Sequence, residues 1–324
     1  MPPPVVRTVL GDVDPEALGR TSIHEHIVLV GSLATVREPE FRLDDLDRVS
    51  ADVAAFRAAG GSALVDTMPL VEGRSAAGLA AVARRTGVHV VACTGFHLPA
   101  YYSESHWVHH YDVERLAGLL VSEIVEGMDE LCFNGPDRRR SDARAGVIKV
   151  ASGFHHVPPS SVKAIEAAGI AHHRTGAPVL VHVDQGTAAH EVLDLIERAG
   201  VPAGRVLLSH MDRNPDPTLH EELARRGAML SYDWLARVRS RSDRVVTELV
   251  MALVERGLTA HVGLGMDLVR HTYWPAYGGG PGLRYLFGEF VPRMIRAGVP
   301  EAAADEICIA NPARFLSFEP EEAT

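Results

Sequence analysis

The chain is short of cysteine, aromatic residues, long apolar runs and positive charge, and each shortage removes a class of protein. Cys93, Cys132 and Cys308 are the only three cysteines in 324 residues. They are an odd set at wide spacing, offering neither a disulfide framework nor a CxxC pair. Cys93 lies within the apolar run VVACTG and reads as a small buried residue, and a reducing, cytoplasmic setting is the expectation. No apolar run approaches the ~20 residues needed to span a bilayer. The start MPPPVVRTVLGDVDPE has no charged segment leading into an apolar core, so no secretory signal is expected. Lysine and arginine number 32 against 42 aspartates and glutamates, a formal charge of −10. Such a surface repels a phosphate backbone and disfavours nucleic acid as a partner. An anionic small molecule would have to be met by a local cluster of arginines.

Aromatic residues are 6% of the chain and hydrophobic residues 46%, ample for one large core of helices packed around short strands. One domain over 1–324 is expected, the length suiting an α/β barrel of ~250 residues plus insertions. Eight apolar runs read as strands: RTSIHEH (20–26), SALVDT (62–67), HVVACTG (89–95), GVIKVAS (146–152), PVLVHV (178–183), VLLSHM (206–211), AMLSYD (228–233) and HVGLGMD (261–267). Most are nearly continuous hydrophobics, as in parallel strands buried on both faces. Helical patterns fall between them at 44–59, 75–86, 112–130, 160–175 and 187–199. Val246, Leu249, Val250, Leu253 and Val254 form one apolar stripe. Leu283, Leu286, Phe287, Phe290, Met294 and Ile295 form another. This alternation is the outline of a (β/α)8 TIM barrel, with a doubly wound open sheet as the alternative. Two insertions stand out, NGPDRRRSDARAG (134–146) and HTYWPAYGGGPG (271–282). The arginine run 138–140 reads as a solvated loop, and the second insertion as substrate-site material.

Polar residues at the strand ends carry the chemistry. His24 and His26 are two apart on a strand, so both imidazoles share a face and can reach one ion. With 17 histidines in 324 residues, one HxH by chance is ordinary. Lys149 sits inside a buried strand, which is costly unless the lysine is paired or modified; a salt bridge to a barrel carboxylate and a metal-linked or nucleophilic lysine are both open. His182 and His210 end two successive strands, and Asp267 closes the last. Any one of these alone is better read as a core residue or a helix cap. Together they are four histidines, a lysine and an aspartate, each at a strand end. Such nitrogen and oxygen donors suit zinc, manganese, cobalt or iron.

HEH on the first strand, AGVIKVAS on the fourth, VHV and LSHMD on the fifth and sixth, GLGMD on the eighth and NPARFL near the C-terminus resemble, in that order, the phosphotriesterase family of the amidohydrolase superfamily, including its lactonase branch. The resemblance spans residues 10–318. It implies a binuclear metal centre at the C-terminal ends of the strands, with zinc as the first expectation. His24, His26 and Asp267 would hold one ion, and His182 and His210 the other. Lys149, carboxylated by CO2, would bridge both together with a hydroxide; some members carry glutamate at that position, and this chain keeps lysine. The hydroxide would attack the substrate, with Asp267 as the proton carrier. A homodimer is the family expectation.

The family includes organophosphate triesterases, lactonases and lactonases of phosphorylated sugars. SHMDRNPD places Arg213 beside a ligand. RVRSRSDR places Arg237, Arg239 and Arg241 after the seventh strand, and GMDLVRHTYW places Arg270 after Asp267. The DRNPD and MDxxRxxYW segments resemble the phosphorylated-sugar branch, so a sugar lactone or its phosphate is the expected substrate. Arg213, Arg239, Arg270, His97, Tyr101 and Tyr273 are its candidate contacts. Two departures are visible. Tyr232 and Asp233 stand where triesterases have a relay histidine, and His97 stands where many lactonases have a tyrosine. A phosphotriester, phosphonate or phosphate ester hydrolase is the second reading, and a non-catalytic small-molecule binding protein the third.

Overall fold

A computed structural model describes residues 3–70, 73–135 and 137–319. Eight parallel strands, β1 (Thr21–Glu25), β2 (Ala63–Asp66), β3 (His89–Gly95), β4 (Ala145–Ser152), β5 (Val179–Val183), β6 (Val206–Ser209), β7 (Met229–Tyr232) and β8 (Val262–Leu264), pair in sequence order. The seam between β8 and β1 is spanned by Met266 and Asp267 N–H groups donating to the His24 carbonyl at 3.3 and 3.0 Å, so the barrel is nearly closed. All eight expected strands form, and the doubly wound alternative falls.

Around the barrel lie α1 (Leu46–Ala58), α2 (Ala76–Thr86), α3 (Val113–Val125), α4 (Pro159–Thr175), α5 (Ala189–Arg198), α6 (Pro217–Arg226), α7 (Arg244–Glu255) and α8 (Val291–Arg296). Asp45, Ser75, Asp112 and Asp216 cap α1, α2, α3 and α6 with side-chain oxygens, satisfying N–H groups that the helix cannot. Helix α6 has no counterpart in the sequence reading; its apolar stripe is short, resting on Leu223 and Ala224. The apolar stripe from Leu283 is there too, but it opens as a wide π-turn over Leu286–Phe290 before α8. The helix expected over 112–130 stops at Val125 because Gly127 takes a φ of +134° and Met128 and Asp129 turn back to pair with the 139–143 segment. Arg138, Arg139 and Arg140 are exposed there, as a solvated loop should be.

Two apolar layers position the site. One lies between sheet and helices. The other fills the barrel from within, with Ile23, Ala63, Val65, Val91, Cys93, Val147, Leu180, Leu207 and Met229. Leu18, Phe315, Leu316 and Val6 plug its lower end. Val6 belongs to a small antiparallel sheet, Val5–Thr8, Gly11–Val13 and Ser317–Phe318, which strand-length patterning did not disclose. The lower interior is thus sealed, and polar groups are confined to the carboxyl ends. Two glycines allow close approach there. A Cβ on Gly265 would sit 2.9 Å from the His24 backbone, and one on Gly95 would sit 1.9 Å from the Lys149 carbonyl oxygen.

The three cysteines are buried and none is in a disulfide, and burial pushes the Cys93 and Cys308 thiols up to about 12. No helix among the described residues is long and apolar enough to cross a membrane.

His220 on α6 is fully buried, between the Tyr232 hydroxyl at 2.9 Å and the Met211 carbonyl at 3.0 Å. Burial pushes it down to about 4. The unfolded chain takes up this proton near 6.5 and the folded chain refuses it until about 4. His220 therefore contributes stability fully above 6.5, and that contribution is lost as pH falls towards 4. Its full effect is ~3 kcal/mol. Denaturant unfolding of His220→Gln should show a shallower fall in stability across this window than the parent; parallel curves would contradict the assignment.

Candidate metal centre

The polar groups converge where the strands end. β1 carries His24 and His26 to the mouth, with a slip in register between Ser22 and Glu25. The slip lets Ile23 join the barrel interior while its neighbour His24 faces the cavity. Lys149 stands on β4 and His182 on β5. His210 and Asp267 lie just beyond β6 and β8, in left-handed conformation with φ of +64° and +49°. Non-glycine residues rarely adopt it, and such strain clusters at functional sites. It also explains why the sixth and eighth strands are shorter than their apolar runs.

The donor atoms face one another. The His182 Nδ1 and His210 Nε2 atoms are 2.9 Å apart. His26 Nε2 is 3.2 Å and His24 Nε2 3.8 Å from the nearer Asp267 oxygen. His24, His26 and Asp267 form one group that could hold a metal ion. A second group of this kind is His24, His210 and Asp233. In it Asp233 faces the rear of the rings. It accepts from His210 Nδ1 at 2.7 Å, His210 N at 3.1 Å and Ser231 Oγ at 2.9 Å. The Nε2 side of His210 is thereby turned to the cavity, which is the orienting role of a carboxylate behind a metal-binding histidine. Ser209 Oγ meets His24 Nδ1 in the same way at 2.9 Å.

The protonation states suit a cation. Burial holds His24, His182 and His210 well below 6.5, so each is neutral with a lone pair to offer. Burial would raise Asp267, but the His26 hydrogen bond and the Arg213 guanidinium beside it outweigh burial and hold it well below 3.8. Burial lowers the Lys149 ammonium from 10.5. Its Nζ donates to the Thr67 carbonyl at 2.8 Å, so a salt bridge to a barrel carboxylate does not account for this lysine. His24 Nε2 and His26 Nδ1 are buried without a hydrogen-bond partner, a cost that native interiors avoid unless something else fills the place. Neutral imidazoles beside an ionised carboxylate therefore fit a divalent ion.

A cavity of about 230 Å³ opens above this cluster. Phe41, Met68, Trp234 and Tyr273 give it apolar walls, and His97, Tyr101, Arg213, Arg237 and Arg270 polar ones. Arg213 donates to Asp267 at 2.8 Å and lies 3.8 Å over the Trp234 ring. Arg270 sits at the half-exposed rim, paired with Glu38 and Glu40 at 3.1 and 2.9 Å. His97 packs against His182 and Tyr101, with ring centroids 4.7 and 4.2 Å apart. The three arginines after β7 separate. Arg237 reaches the cavity, Arg241 is tied to Asp212, and Arg239 is exposed in an outer groove beside the cavity. Sequence reading missed the roles of Asp233, Ser209, Trp234 and Phe41. Asp233 had a signal, since it ends a strand like the candidate ligands do. Phe41 had none, because it comes from a loop whose path depends on the finished fold.

The barrel and its buried histidine–aspartate cluster define a class of hydrolases that work through bound metal. A family model described as the phosphotriesterase family matches residues 4–316, and the chain belongs to this metal-dependent family. It is similar to a phospho-furanose lactonase of Mycoplasmopsis synoviae, 34% identical over 97% of this chain and 92% of the relative. The solved structure of an amidohydrolase from Mycoplasma synoviae superposes with a TM-score of 0.95 at 33% identity, over 99% of this chain and 94% of that one. A lactonase from Listeria monocytogenes superposes at 0.89 with 29% identity, over 97% of this chain and 99% of that one. Such relatives mark the chain as a hydrolytic enzyme.

If Asp233 orients His210, Asp233→Asn should leave the barrel folded and weaken metal binding by about 10–100-fold. A competitive chelator titration measures this; unchanged affinity would assign the carboxylate a purely structural part.

Proposed function

We propose that this enzyme is a lactonase that opens the ring ester of a phosphorylated sugar lactone. Two divalent cations, zinc before manganese, cobalt or iron, would be held by His24, His26 and Asp267 on one side and by His182 and His210 on the other. Lys149, carboxylated by CO2, would bridge them. The observation that carries the reading is the meeting of these six side chains in one cavity whose upper wall carries guanidinium groups. The phospho-furanose lactonase relative supports the choice of substrate.

Bound metal supplies Lewis acidity towards the ester carbonyl and makes water a better nucleophile. The chain's own groups do the rest. Water oxygen adds to the carbonyl carbon, the ester C–O bond breaks, and the ring oxygen leaves with a proton to give a hydroxy acid. Asp267, held ionised, takes the proton from water and returns it to the ring oxygen, a role contributing ~10²–10⁴-fold. A lysine whose ammonium is weakened by burial reacts more readily with CO2, because the neutral amine is the nucleophile. Phe41, Trp234 and Tyr273 exclude water from the sugar face. The phosphate would be met by Arg213 and by Arg270, which can exchange its exposed glutamates for the substrate. His97, Tyr101 and Tyr273 border the sugar, and Arg239 acts from the outer groove. Tyr232 is engaged with His220 and Asp233 with His210, so the end of β7 supplies no free relay for triester hydrolysis.

With zinc or manganese and bicarbonate, a phosphorylated furanose lactone should be hydrolysed with kcat/KM about 10²-fold above its unphosphorylated counterpart, the worth of one or two charge-assisted hydrogen bonds. Equal rates, or faster cleavage of a phosphotriester, would reject the substrate reading. Lys149→Ala should lower kcat by about 10³-fold or more, as loss of a bridging ligand disorders both ions, and metal analysis should show fewer than two ions per chain. An active variant with two ions would reject the bridge.

A further inference from the structure

Asp267 is asked to be ligand and proton carrier from an irregular piece of backbone. It lies three residues past Leu264, where the β8 ladder ends, at a φ of +49°. Nothing regular holds it there, yet every main-chain polar group of residues 266–268 has a partner. Glu25, which stands between His24 and His26 and is fully buried, accepts from Met266 N at 2.9 Å and Leu268 N at 3.3 Å. Its own carboxyl group is fixed by Ser22 Oγ at 2.5 Å. From the other edge, Arg237 Nη2 donates to the carbonyls of Met266 at 3.1 Å and Asp267 at 2.8 Å. Asp267 N donates to the His24 carbonyl at 3.0 Å, and Trp274 Nε1 donates to the Leu268 carbonyl at 2.8 Å.

Arg237 is itself held. Its Nη1 donates to Leu235 O at 2.7 Å, and its plane lies 4.0 Å over Tyr273 and 5.0 Å from Trp234, two walls of the substrate cavity. The turn before it is pinned by Asp243, which accepts from Ala236 N at 2.9 Å and from the Tyr285 hydroxyl at 2.6 Å. The segment bearing Asp267 is thus gripped from the β1 side by Glu25 and from the β7 loop by Arg237. A buried irregular backbone satisfied this completely has one low-energy arrangement.

We propose that Glu25 and Arg237 are positioning residues that act as one clamp, holding the Asp267 turn against His24 and His26. Through Arg237 the clamp ties the geometry of that ion's site to the loop that walls the substrate cavity. The inference rests on the reading that Asp267 ligates metal with His24 and His26. It separates the two ions, because His182 and His210 have no part in the clamp.

The test uses the full chain reconstituted with zinc, comparing the parent with Glu25→Gln, Arg237→Lys, Arg237→Met and the double variant Glu25→Gln/Arg237→Met. A chelator competition resolves the two zinc affinities, steady-state kinetics give kcat and KM, and melting of the chelated protein monitors the fold. The clamp predicts that one zinc ion weakens by about 10–100-fold while the other stays within about twofold. It predicts that kcat falls with KM little changed, and that Arg237→Lys recovers part of what Arg237→Met loses. Because the two side chains act on one segment, the double variant should lose about as much as the worse single variant, not the product of both. Two unchanged affinities in folded variants overturn the clamp, as does equal weakening of both ions, the pattern of general loosening. A parent chain that binds no pair of zinc ions removes the metal reading and the clamp with it.

Discussion

Desolvation of a polar cluster is the constraint from which the rest of this structure follows. His24, Lys149, His210, Asp233 and Asp267 are all buried at one end of the barrel, where an unpaired charge would cost several kcal/mol. The fold meets that constraint by neutralising what it can and orienting what remains. Three imidazoles are held neutral, the lysine is pushed towards its amine, and one aspartate is kept ionised. That inventory is poorly self-sufficient, with partnerless nitrogens on His24 and His26. Divalent charge placed among these donors would relieve what the protein alone leaves unbalanced.

The architecture separates two tasks along the barrel axis. Below the cluster, strand side chains such as Val65, Val147, Leu180 and Leu207 and the plug of Leu18 and Phe315 make a dry, close-packed floor. Above it, loops from different strands supply Phe41, Arg213, Trp234, Arg270 and Tyr273 to the cavity. Rigid strands therefore fix most of the proposed metal ligands, and loops carry the proposed substrate contacts. The exceptions are His210 and Asp267, proposed ligands that stand beyond their strands in strained backbone. At both, buried carboxyl groups compensate, Asp233 behind His210 and Glu25 beneath the Asp267 turn.

Much of this was legible in the sequence, for identifiable reasons. Parallel strands buried on both faces give uninterrupted apolar runs, so a polar residue ending such a run stands out. That is why His182, His210 and Asp267 could be singled out and why all eight strands were placed. Lys149 was visible because a lysine in GVIKVAS breaks an apolar strand. Helix α6 and the small sheet beneath the barrel were not visible, since two buried apolar residues or a two-residue strand carry no periodicity. The arginines were legible as a group but not one by one. Arg237, Arg239 and Arg241 alternate in sequence and part company in space, because the turn after β7 is shaped by Asp212, which lies elsewhere in the chain, and by the contacts Asp243 makes only in the fold. Asp233 was noticed for the residue it replaces, and its hydrogen bonds to His210 belong to the folded state alone.

The most direct measurement is diffraction at the zinc absorption edge from crystals grown with zinc and bicarbonate. The account predicts two anomalous peaks in the cavity, one among His24, His26 and Asp267 and one beside His182 and His210, with added density on Lys149 Nζ between them. A Lys149 ammonium still bonded to the Thr67 carbonyl, with no peak among those histidines, would contradict it.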